Sequence, residues 1–260
     1  MDQNVISPFR LAMVVPCYNE SKRINLDYWS YIVRATIGIS WFFVDDGSSD
    51  STYELLHKLE RNAGIQVLRL RQNLGKAEAL RAGFRNAIEQ GNDVIGFIDA
   101  DGSFDREEVI EVCKRFQQKN QWYSPNHDHL AVFMSRNSLS DGVEYLSTLR
   151  RISGLLISKI NSTIWKELPT DTQCGFKFFK RNKGLYLAMS HPFSNSWFFE
   201  IELLMRIRQG SQRHLKIKEV PLRFCQHISG SNTDRTNFLN SAWQVLNVAL
   251  KLIQFRLFKL

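Results

Sequence analysis

The chain lacks the short motifs that mark several large enzyme classes. Its 260 residues contain no Gly-x-Gly-x-x-Gly stretch for a dinucleotide, no phosphate-binding P-loop, no His-Glu-x-x-His and no Gly-x-Ser-x-Gly elbow. The sequence therefore gives no support for hydride transfer, P-loop phosphoryl transfer, zinc proteolysis or serine hydrolysis.

Cysteines and long apolar runs are also scarce. Four cysteines are spread along the chain without a Cys-x-x-Cys pair, so neither a zinc cluster nor a disulfide framework is indicated. We expect reduced thiols in a cytosolic protein. No uninterrupted apolar run approaches the roughly 18–20 residues that span a bilayer, and no basic segment followed by an apolar one opens the sequence. We therefore expect neither a secretory leader nor a membrane-spanning segment.

What the chain does have is apolar content and positive charge. A hydrophobic fraction of 43% predicts a folded globular protein, and a formal net charge of +8 indicates an anionic partner. That partner could be a nucleic acid, a phosphorylated substrate or an acidic membrane surface. Aromatic residues do not interleave with a basic stripe and no nucleic-acid recognition motif occurs, so we expect no nucleic-acid partner.

Short apolar runs alternate with segments of helical length. The runs predict strands buried on both faces, at Leu11–Val15, Trp41–Val44, Ile65–Leu70 and Val94–Ile98. Possible N-terminal caps predict helices from about Ser51 and Asp105, and apolar residues at fourfold spacing predict another over Gly75–Gln90. The order predicts an α/β fold with an open, mostly parallel sheet flanked by helices.

Polar clusters follow each of these four strands, at residues 16–20, 45–50, 72–76 and 99–102. Each cluster alone fits a turn, but ligands bind such sheets at the carboxyl ends of the strands, where all four would meet. Asp99 and Asp101 are two residues apart, so in an extended segment both side chains point the same way and could hold one hard cation. An ordinary strand end with turn residues is the alternative for this pair alone. Together the clusters favour a nucleotide-diphosphate site.

The four strands end in the motifs Val15-Pro16-Cys17-Tyr18-Asn19-Glu20, Val44-Asp45-Asp46-Gly47-Ser48-Ser49-Asp50, Asn73-Leu74-Gly75-Lys76 and Asp99-Ala100-Asp101-Gly102. These motifs resemble those of the family 2 glycosyltransferases, which have the GT-A fold. Asp171–Lys177 and Glu219–Leu222 resemble the branch that glycosylates polyprenyl phosphates, the dolichyl-phosphate glucosyl- and mannosyltransferases. The resemblance implies one GT-A catalytic domain over residues 1–235, with a nucleotide-binding half at about 11–110 and an acceptor half at 111–235.

The resemblance also implies roles for single residues. Asp99 and Asp101 would bind a divalent metal, Mg²⁺ or Mn²⁺, and with Arg136 and Glu200 they form the expected catalytic set. Related chains often have Asp at the position of Glu200, and some have Gln at that of Ser103. The residues expected to contact the UDP- or GDP-sugar donor are Pro16, Tyr18, Glu20, Val44, Asp46, Lys76, Asp99, Ala100 and Asp101. For Lys76, a solvated lysine at a helix start is an equal alternative.

The implied reaction is an inverting transfer of a hexose, glucose or mannose, to a polyprenyl phosphate at a membrane surface. The acceptor phosphate is already anionic and needs cations more than a base. The candidate clamps are Arg136, Arg150, Arg151, Ser153 and Lys177. Solvated surface residues are the alternative for the arginines. The whole chain has two other interpretations. It could be a family 2 transferase with a saccharide or other hydroxyl acceptor, or a noncatalytic nucleotide-sugar-binding protein.

Residues 236–260 carry apolar side chains at three- and four-residue intervals, together with Lys251, Arg256 and Lys259. This pattern predicts an amphipathic helix that lies on an anionic leaflet, which would make the protein peripheral on the cytoplasmic face of a membrane. Packing against the catalytic domain or against a second copy of the chain in a homo-oligomer is the alternative.

Overall fold

A computed structural model describes residues 9–118, 123–124, 127–128, 130–136, 169, 171–194, 199–211 and 216–226. Its strands are β1 Leu11–Cys17, β2 Ser40–Asp45, β3 Gln66–Arg69, β4 Val94–Ile98, β5 Tyr123–Ser124, β6 His127–Asp128, β7 Ala131–Ser135, β8 Phe176–Lys180 and β9 Ile217–Pro221. Its helices are α1 Leu26–Ala35, α2 Thr52–Ala63, α3 Lys76–Glu89, α4 Arg106–Phe116, α5 Lys183–Ser190 and α6 Phe199–Ser211. The predictions for Arg150, Arg151, Ser153 and the helix over 236–260 lie outside the described residues.

Seven of these strands form one sheet in the order β3-β2-β1-β4-β8-β7-β9. The first four pair in parallel, as predicted, and β7 pairs in parallel with β9. Only β8 among them runs antiparallel to its neighbours, β4 and β7. One sheet therefore contains strands from both predicted halves of the domain, residues 11–110 and 111–235. Strand β8 brings the 171–177 motif beside the end of β4.

The helices begin where local chemistry caps them. Asp105 accepts a hydrogen bond from the Glu108 N–H at 2.9 Å, which confirms the predicted cap of α4. Ser51 makes no such bond at the start of α2; Asp50 instead accepts from the Thr52 N–H at 2.9 Å. No helix in the described ranges is long and apolar enough to cross a membrane.

Helices cover both faces of the sheet. Alternate residues of each strand point to opposite sides, and both sets are apolar, so each face packs against helices. Met13 and Phe43 pack with α1, α2 and α4 on one face. Val14, Phe42 and Phe97 pack with α3, α5 and α6 on the other. Burying a large apolar side chain stabilises a fold by about 1.5–3 kcal/mol, so these two layers hold the strand ends in fixed positions.

Candidate functional site

The polar clusters that follow β1 and β2 meet at the carboxyl edge of the sheet. Pro16 lies opposite Val44 in the parallel register, and the Asp46 N–H donates to the Cys17 carbonyl at 2.8 Å. Beyond the strands, the Asn19 N–H donates to Ser48 Oγ at 3.0 Å and the Glu20 N–H donates to Thr52 Oγ1 at 2.7 Å. The predicted meeting of the two clusters is confirmed.

Asp99 and Asp101 lie at the same edge, directly after β4. The Asp101 carboxylate accepts a hydrogen bond from the Ser103 N–H at 3.0 Å. Burial raises the pKa of Asp101, and the nearby Asp99 charge raises it further. Like-charged carboxylates repel each other, and a cation between them removes that repulsion.

Glu20 adds a third carboxylate to this region. It is buried and forms an ion pair with Arg23. Burial raises its pKa, Arg23 opposes that shift, and the charges of Asp101 and Asp99 add to it. The site is therefore rich in negative charge.

The donor atoms at this edge suit a hard cation. Across the part of the chain that the structure describes, no group of three or more histidine, cysteine or acidic side chains is arranged to hold a metal ion. Asp99 and Asp101 would supply two oxygen ligands and leave other positions to water or a ligand. Carboxylate oxygens with vacant positions for phosphate are typical of Mg²⁺ and Mn²⁺ sites, not of zinc.

Gly175 fixes the position of the Asp99 carboxylate. The Asp99 N–H donates to the Gly175 carbonyl at 3.1 Å, and a Cβ added at Gly175 would lie 2.1 Å from Asp99 Oδ2. A side chain at position 175 is thus incompatible with this placement of Asp99. Sequence reasoning assigned no role to Gly175, although the Asp171–Lys177 motif that contains it was recognised.

Lys76 lies against Asp99. Its ammonium is 2.5 Å from Asp99 Oδ1, and the two side chains are 37% and 34% exposed. Burial lowers the pKa of Lys76, but the charges of Asp99 and Glu200 outweigh that effect and raise it above the ordinary value. Lys76 is therefore a cation at the candidate metal site, and its predicted contact with the donor stays a prediction.

Both oxygens of Asp46 are occupied by backbone groups. They accept hydrogen bonds from the Leu74 N–H at 2.9 Å and the Gly75 N–H at 2.8 Å. Burial raises the pKa of Asp46, and these two N–H groups oppose the shift. Asp46 thus holds the loop that leads into Lys76, and its predicted contact with base and ribose stays a prediction.

The other predicted donor contacts surround this loop. Val44 and Ala100 are buried, whereas Pro16 and Tyr18 are half-buried at the end of β1. The Ala100 carbonyl accepts a hydrogen bond from Trp29 Nε1 at 3.0 Å, so it helps to hold the segment between Asp99 and Asp101. Their contacts with a donor stay predictions.

Arg136 follows β7 and is held by Asp171. Its Nε and Nη2 each donate to the Asp171 carboxylate at 2.8 Å, and about a third of the Arg136 side chain is exposed. The Asp171 N–H donates to Glu219 Oε1 at 3.1 Å, which joins the two motifs of the polyprenyl-phosphate branch. Sequence reasoning recognised both motifs but missed these single-residue roles.

Lys177 requires a correction. Its side chain has no exposed surface, and its ammonium lies 4.9 Å and 5.0 Å from the ring centroids of Phe97 and Phe133. The ammonium donates to the Cys174 carbonyl and lies 3.5 Å from Glu200 Oε1. The prediction that Lys177 clamps an acceptor phosphate disagrees with this placement, because a buried ammonium paired with Glu200 is not available at the surface.

Glu200, the remaining residue of the expected catalytic set, lies in the first turn of α6 and is buried. Burial raises its pKa, and the Lys177 and Lys76 ammonium groups oppose that shift. The position at a helix start favours its negative charge. Asp99, Lys76, Glu200 and Lys177 are thus brought together around the end of β4.

The sequence is similar to those of known glycosyltransferases. A family model described as glycosyl transferase family 2 matches residues 12–182. A dolichyl-phosphate beta-glucosyltransferase of Trichomonas vaginalis is 29% identical over 259 residues, which cover 95% of this chain and 73% of that protein. The dolichyl-phosphate beta-glucosyltransferase of Homo sapiens is 29% identical over 213 residues, which cover 75% of this chain and 62% of the human protein.

Solved structures show the same fold. Glucosyl-3-phosphoglycerate synthase of Mycobacterium tuberculosis, in complex with Mn²⁺, UDP and glucosyl-3-phosphoglycerate, superimposes with a TM-score of 0.63 at 19% identity. The match covers 95% of this chain and 80% of that one. The predicted GT-A fold is confirmed.

Proposed function

This chain belongs to glycosyl transferase family 2, and we propose that it transfers glucose from a nucleotide-diphospho-sugar to a dolichyl-type polyprenyl phosphate. The observation that carries the proposal is the Asp99–Asp101 pair at the carboxyl edge of a GT-A sheet, in a chain whose relatives are named dolichyl-phosphate beta-glucosyltransferases. We propose glucose, not mannose, as the transferred sugar because these relatives are named glucosyltransferases.

UDP-glucose is the proposed donor. Solved structures of the same fold contain UDP-glucose with Mn²⁺, which supports a uridine nucleotide over a guanosine nucleotide. The expected donor contacts at Glu20, Asp46 and Lys76 lie around the same edge of the sheet as Asp99, so one nucleotide could reach all of them.

Asp99 and Asp101 are the proposed ligands of the divalent cation, with Mg²⁺ and Mn²⁺ both suited to two carboxylate oxygens. When bound, the cation supplies positive charge that stabilises the leaving diphosphate. Burial and neighbouring carboxylates raise the pKa of Glu20 and of Asp101, and a divalent cation would relieve the repulsion among these negative charges.

The residues of this chain then hold the two substrates. An acceptor phosphate is anionic before attack, so it needs orientation and charge balance rather than a strong general base. Arg136, kept in place by two hydrogen bonds from its guanidinium to Asp171, is the described candidate for that contact. Direct attack by the acceptor on the sugar carbon inverts its configuration, which is the stereochemistry that we propose.

The acceptor also sets the proposed location. A polyprenyl phosphate is anchored in a bilayer, so the chain must work at a membrane surface. We propose peripheral attachment at the cytoplasmic face through the amphipathic sequence 236–260, helped by a net charge of +8.

A matrix of purified substrates tests the proposal. UDP-glucose, UDP-galactose and GDP-mannose are each incubated with polyprenyl phosphate, with unphosphorylated polyprenol and with a soluble sugar, and products are identified by mass. We expect glucosyl-phosphoryl-polyprenol from UDP-glucose alone. Equal transfer to polyprenol or to the soluble sugar would contradict the phosphate acceptor, and nucleotide binding without turnover of any pair would favour a noncatalytic protein.

A further inference from the structure

One oxygen of the buried Glu200 carboxylate is not used by its contact with Lys177. Oε1 lies 3.5 Å from the Lys177 ammonium, but Oε2 is buried and has no hydrogen-bond partner within the described ranges. An unpaired buried carboxylate oxygen is costly, because it has lost water without gaining a donor. Glu200 Oε2 is therefore available to accept a hydrogen bond.

Lys76 is the nearby cation that could fill that position. Its ammonium lies 5.7 Å from the Phe97 ring centroid, and the Lys177 ammonium lies 4.9 Å from the same centroid. Lys76 contacts Asp99 and Lys177 contacts Glu200, so the two lysines connect both carboxylates to one aromatic ring. Lys76 thus contacts one carboxylate and lies beside the same ring as the lysine that contacts the other carboxylate.

The contact with Asp99 conflicts with metal binding. Lys76 is 2.5 Å from Asp99 Oδ1, on the carboxylate that a divalent cation would also bind. Two cations on one carboxylate repel each other strongly, so binding of the metal must weaken or break the Lys76 contact. A displaced ammonium that stays near the site needs another acceptor.

We propose that Lys76 exchanges Asp99 for Glu200 Oε2 when a divalent cation binds at Asp99 and Asp101. Lys177 is the positioning residue for this exchange, because it engages Oε1 and fixes the Glu200 carboxylate with Oε2 free. The inference rests on the metal site of the proposed function. It also gives the buried Lys177–Glu200 pair a role, whereas the predicted contact of Lys177 with an acceptor phosphate does not fit its burial.

The exchange makes Glu200 matter for metal binding without being a ligand. If Glu200 cannot receive Lys76, the ammonium stays on Asp99 and competes with the metal. An ion pair whose side chains are about a third exposed, like that of Lys76 with Asp99, changes a binding constant by about two- to fivefold, which sets the size of the expected effect.

The test is a double-mutant cycle on Mn²⁺ affinity, measured on the full chain by the EPR signal of free Mn²⁺ without donor or acceptor. We expect Glu200→Gln to weaken Mn²⁺ binding about two- to fivefold and Lys76→Met to bind Mn²⁺ at least as tightly as the natural chain. In the Lys76→Met background, Glu200→Gln should have no further effect. The matched control is Glu202→Gln, which removes a negative charge from α6 on a side chain that pairs with Arg206 and should leave Mn²⁺ affinity unchanged.

An equal loss from Glu200→Gln with and without Lys76 would overturn the exchange, because Glu200 would then act through its long-range charge alone. If Glu200→Gln does not fold, Glu200→Asp is the second variant. It keeps the negative charge beside Lys177, but its shorter side chain moves the acceptor oxygen away from Lys76. It should weaken Mn²⁺ binding only while Lys76 is present, and unchanged affinity would overturn the proposal. Since the measurement needs no substrate, its outcome is independent of the turnover assay for the proposed function.

Discussion

At the residue scale, the Asp99 carboxylate is constrained by its neighbours more than by its own strand. Its backbone N–H is bound to the Gly175 carbonyl, its Oδ2 fills the space beside the Gly175 Cα, and its Oδ1 contacts Lys76. Asp101 is held separately, by the Ser103 N–H. The two proposed ligands can therefore be disturbed one at a time.

Asp101→Asn removes one charge from the pair and keeps the shape of the side chain. We expect turnover to fall about a hundredfold or more, the scale of losing a group that stabilises developing charge, with thermal stability nearly unchanged. The matched control is Asp93→Asn, whose carboxylate pairs with Arg181 at the opposite end of β4. Activity of the Asp101→Asn variant close to that of the control would contradict the metal assignment.

Gly175→Ala tests the close approach of β8 to Asp99. The added Cβ should push the carboxylate aside and weaken Mn²⁺ binding about tenfold, since ligand placement outside the ideal geometry lowers metal affinity. Gly64→Ala is the control. Gly64 has a φ of +74° with open space around it, so alanine there should cost about 1 kcal/mol of stability and leave Mn²⁺ binding intact. Unaltered Mn²⁺ affinity in Gly175→Ala would show that Asp99 tolerates the side chain.

At the element scale, the loop between β3 and α3 depends on β2. Asp46 at the end of β2 accepts both the Leu74 and Gly75 N–H groups, and α3 begins at the next residue, Lys76. Hydrogen bonds to a charged acceptor are worth about 1.5–3 kcal/mol each. One carboxylate thus sets the position of both the loop and Lys76.

Asp46→Ala should free this loop. We expect faster hydrogen exchange at the Leu74 and Gly75 amides, and UDP affinity lowered about tenfold because Lys76 loses its fixed position. Asn73→Ala is the matched control, since Asn73 Oδ1 contributes a neutral bond to the same Gly75 N–H and should matter less. Calorimetry with unchanged UDP affinity in Asp46→Ala would place the nucleotide away from this loop.

The ion pair between Arg136 and Asp171 connects the end of β7 with the 171–177 segment. Burial alone would raise the pKa of Asp171, but hydrogen bonds and charge from Arg136 hold it below its ordinary value of 3.8. The pair therefore stabilises the fold above that pH, and the stabilisation is lost as pH falls through the lower pKa of the folded state.

Urea unfolding at a series of pH values measures this linkage. Asp171→Asn should lower the free energy of unfolding by about 1–3 kcal/mol at pH 7, and the gap to the natural chain should shrink as the pH falls below 4. Other acidic groups also titrate in this range, so the comparison uses the difference between the two chains. A gap that stays constant down to pH 3 would show that the ion pair is not the cause.

At the scale of the whole molecule, the sequence predicted the fold of residues 11–110 well because the signals there are local. The apolar runs and the polar residues that end them identified four strands and the edge where they meet. Lys177 could not be placed in this way. Its burial depends on β8 running antiparallel between β4 and β7, which is a contact between distant parts of the chain. The roles of Gly175, Asp171 and Glu219 depend on the same contact.

The proposed membrane attachment is the last prediction. A chain with a net charge of +8 should float with vesicles that contain anionic lipid and much less with neutral vesicles, and flotation should weaken as salt screens the attraction. Removing residues 237–260 should reduce flotation, because the apolar face predicted there would be lost with its cations. The control is the circular dichroism spectrum and melting temperature of the truncated chain, which should match those of the full chain. If the truncated chain folds and floats as well as the full chain, residues 237–260 are not the anchor and the membrane contact lies on the catalytic domain.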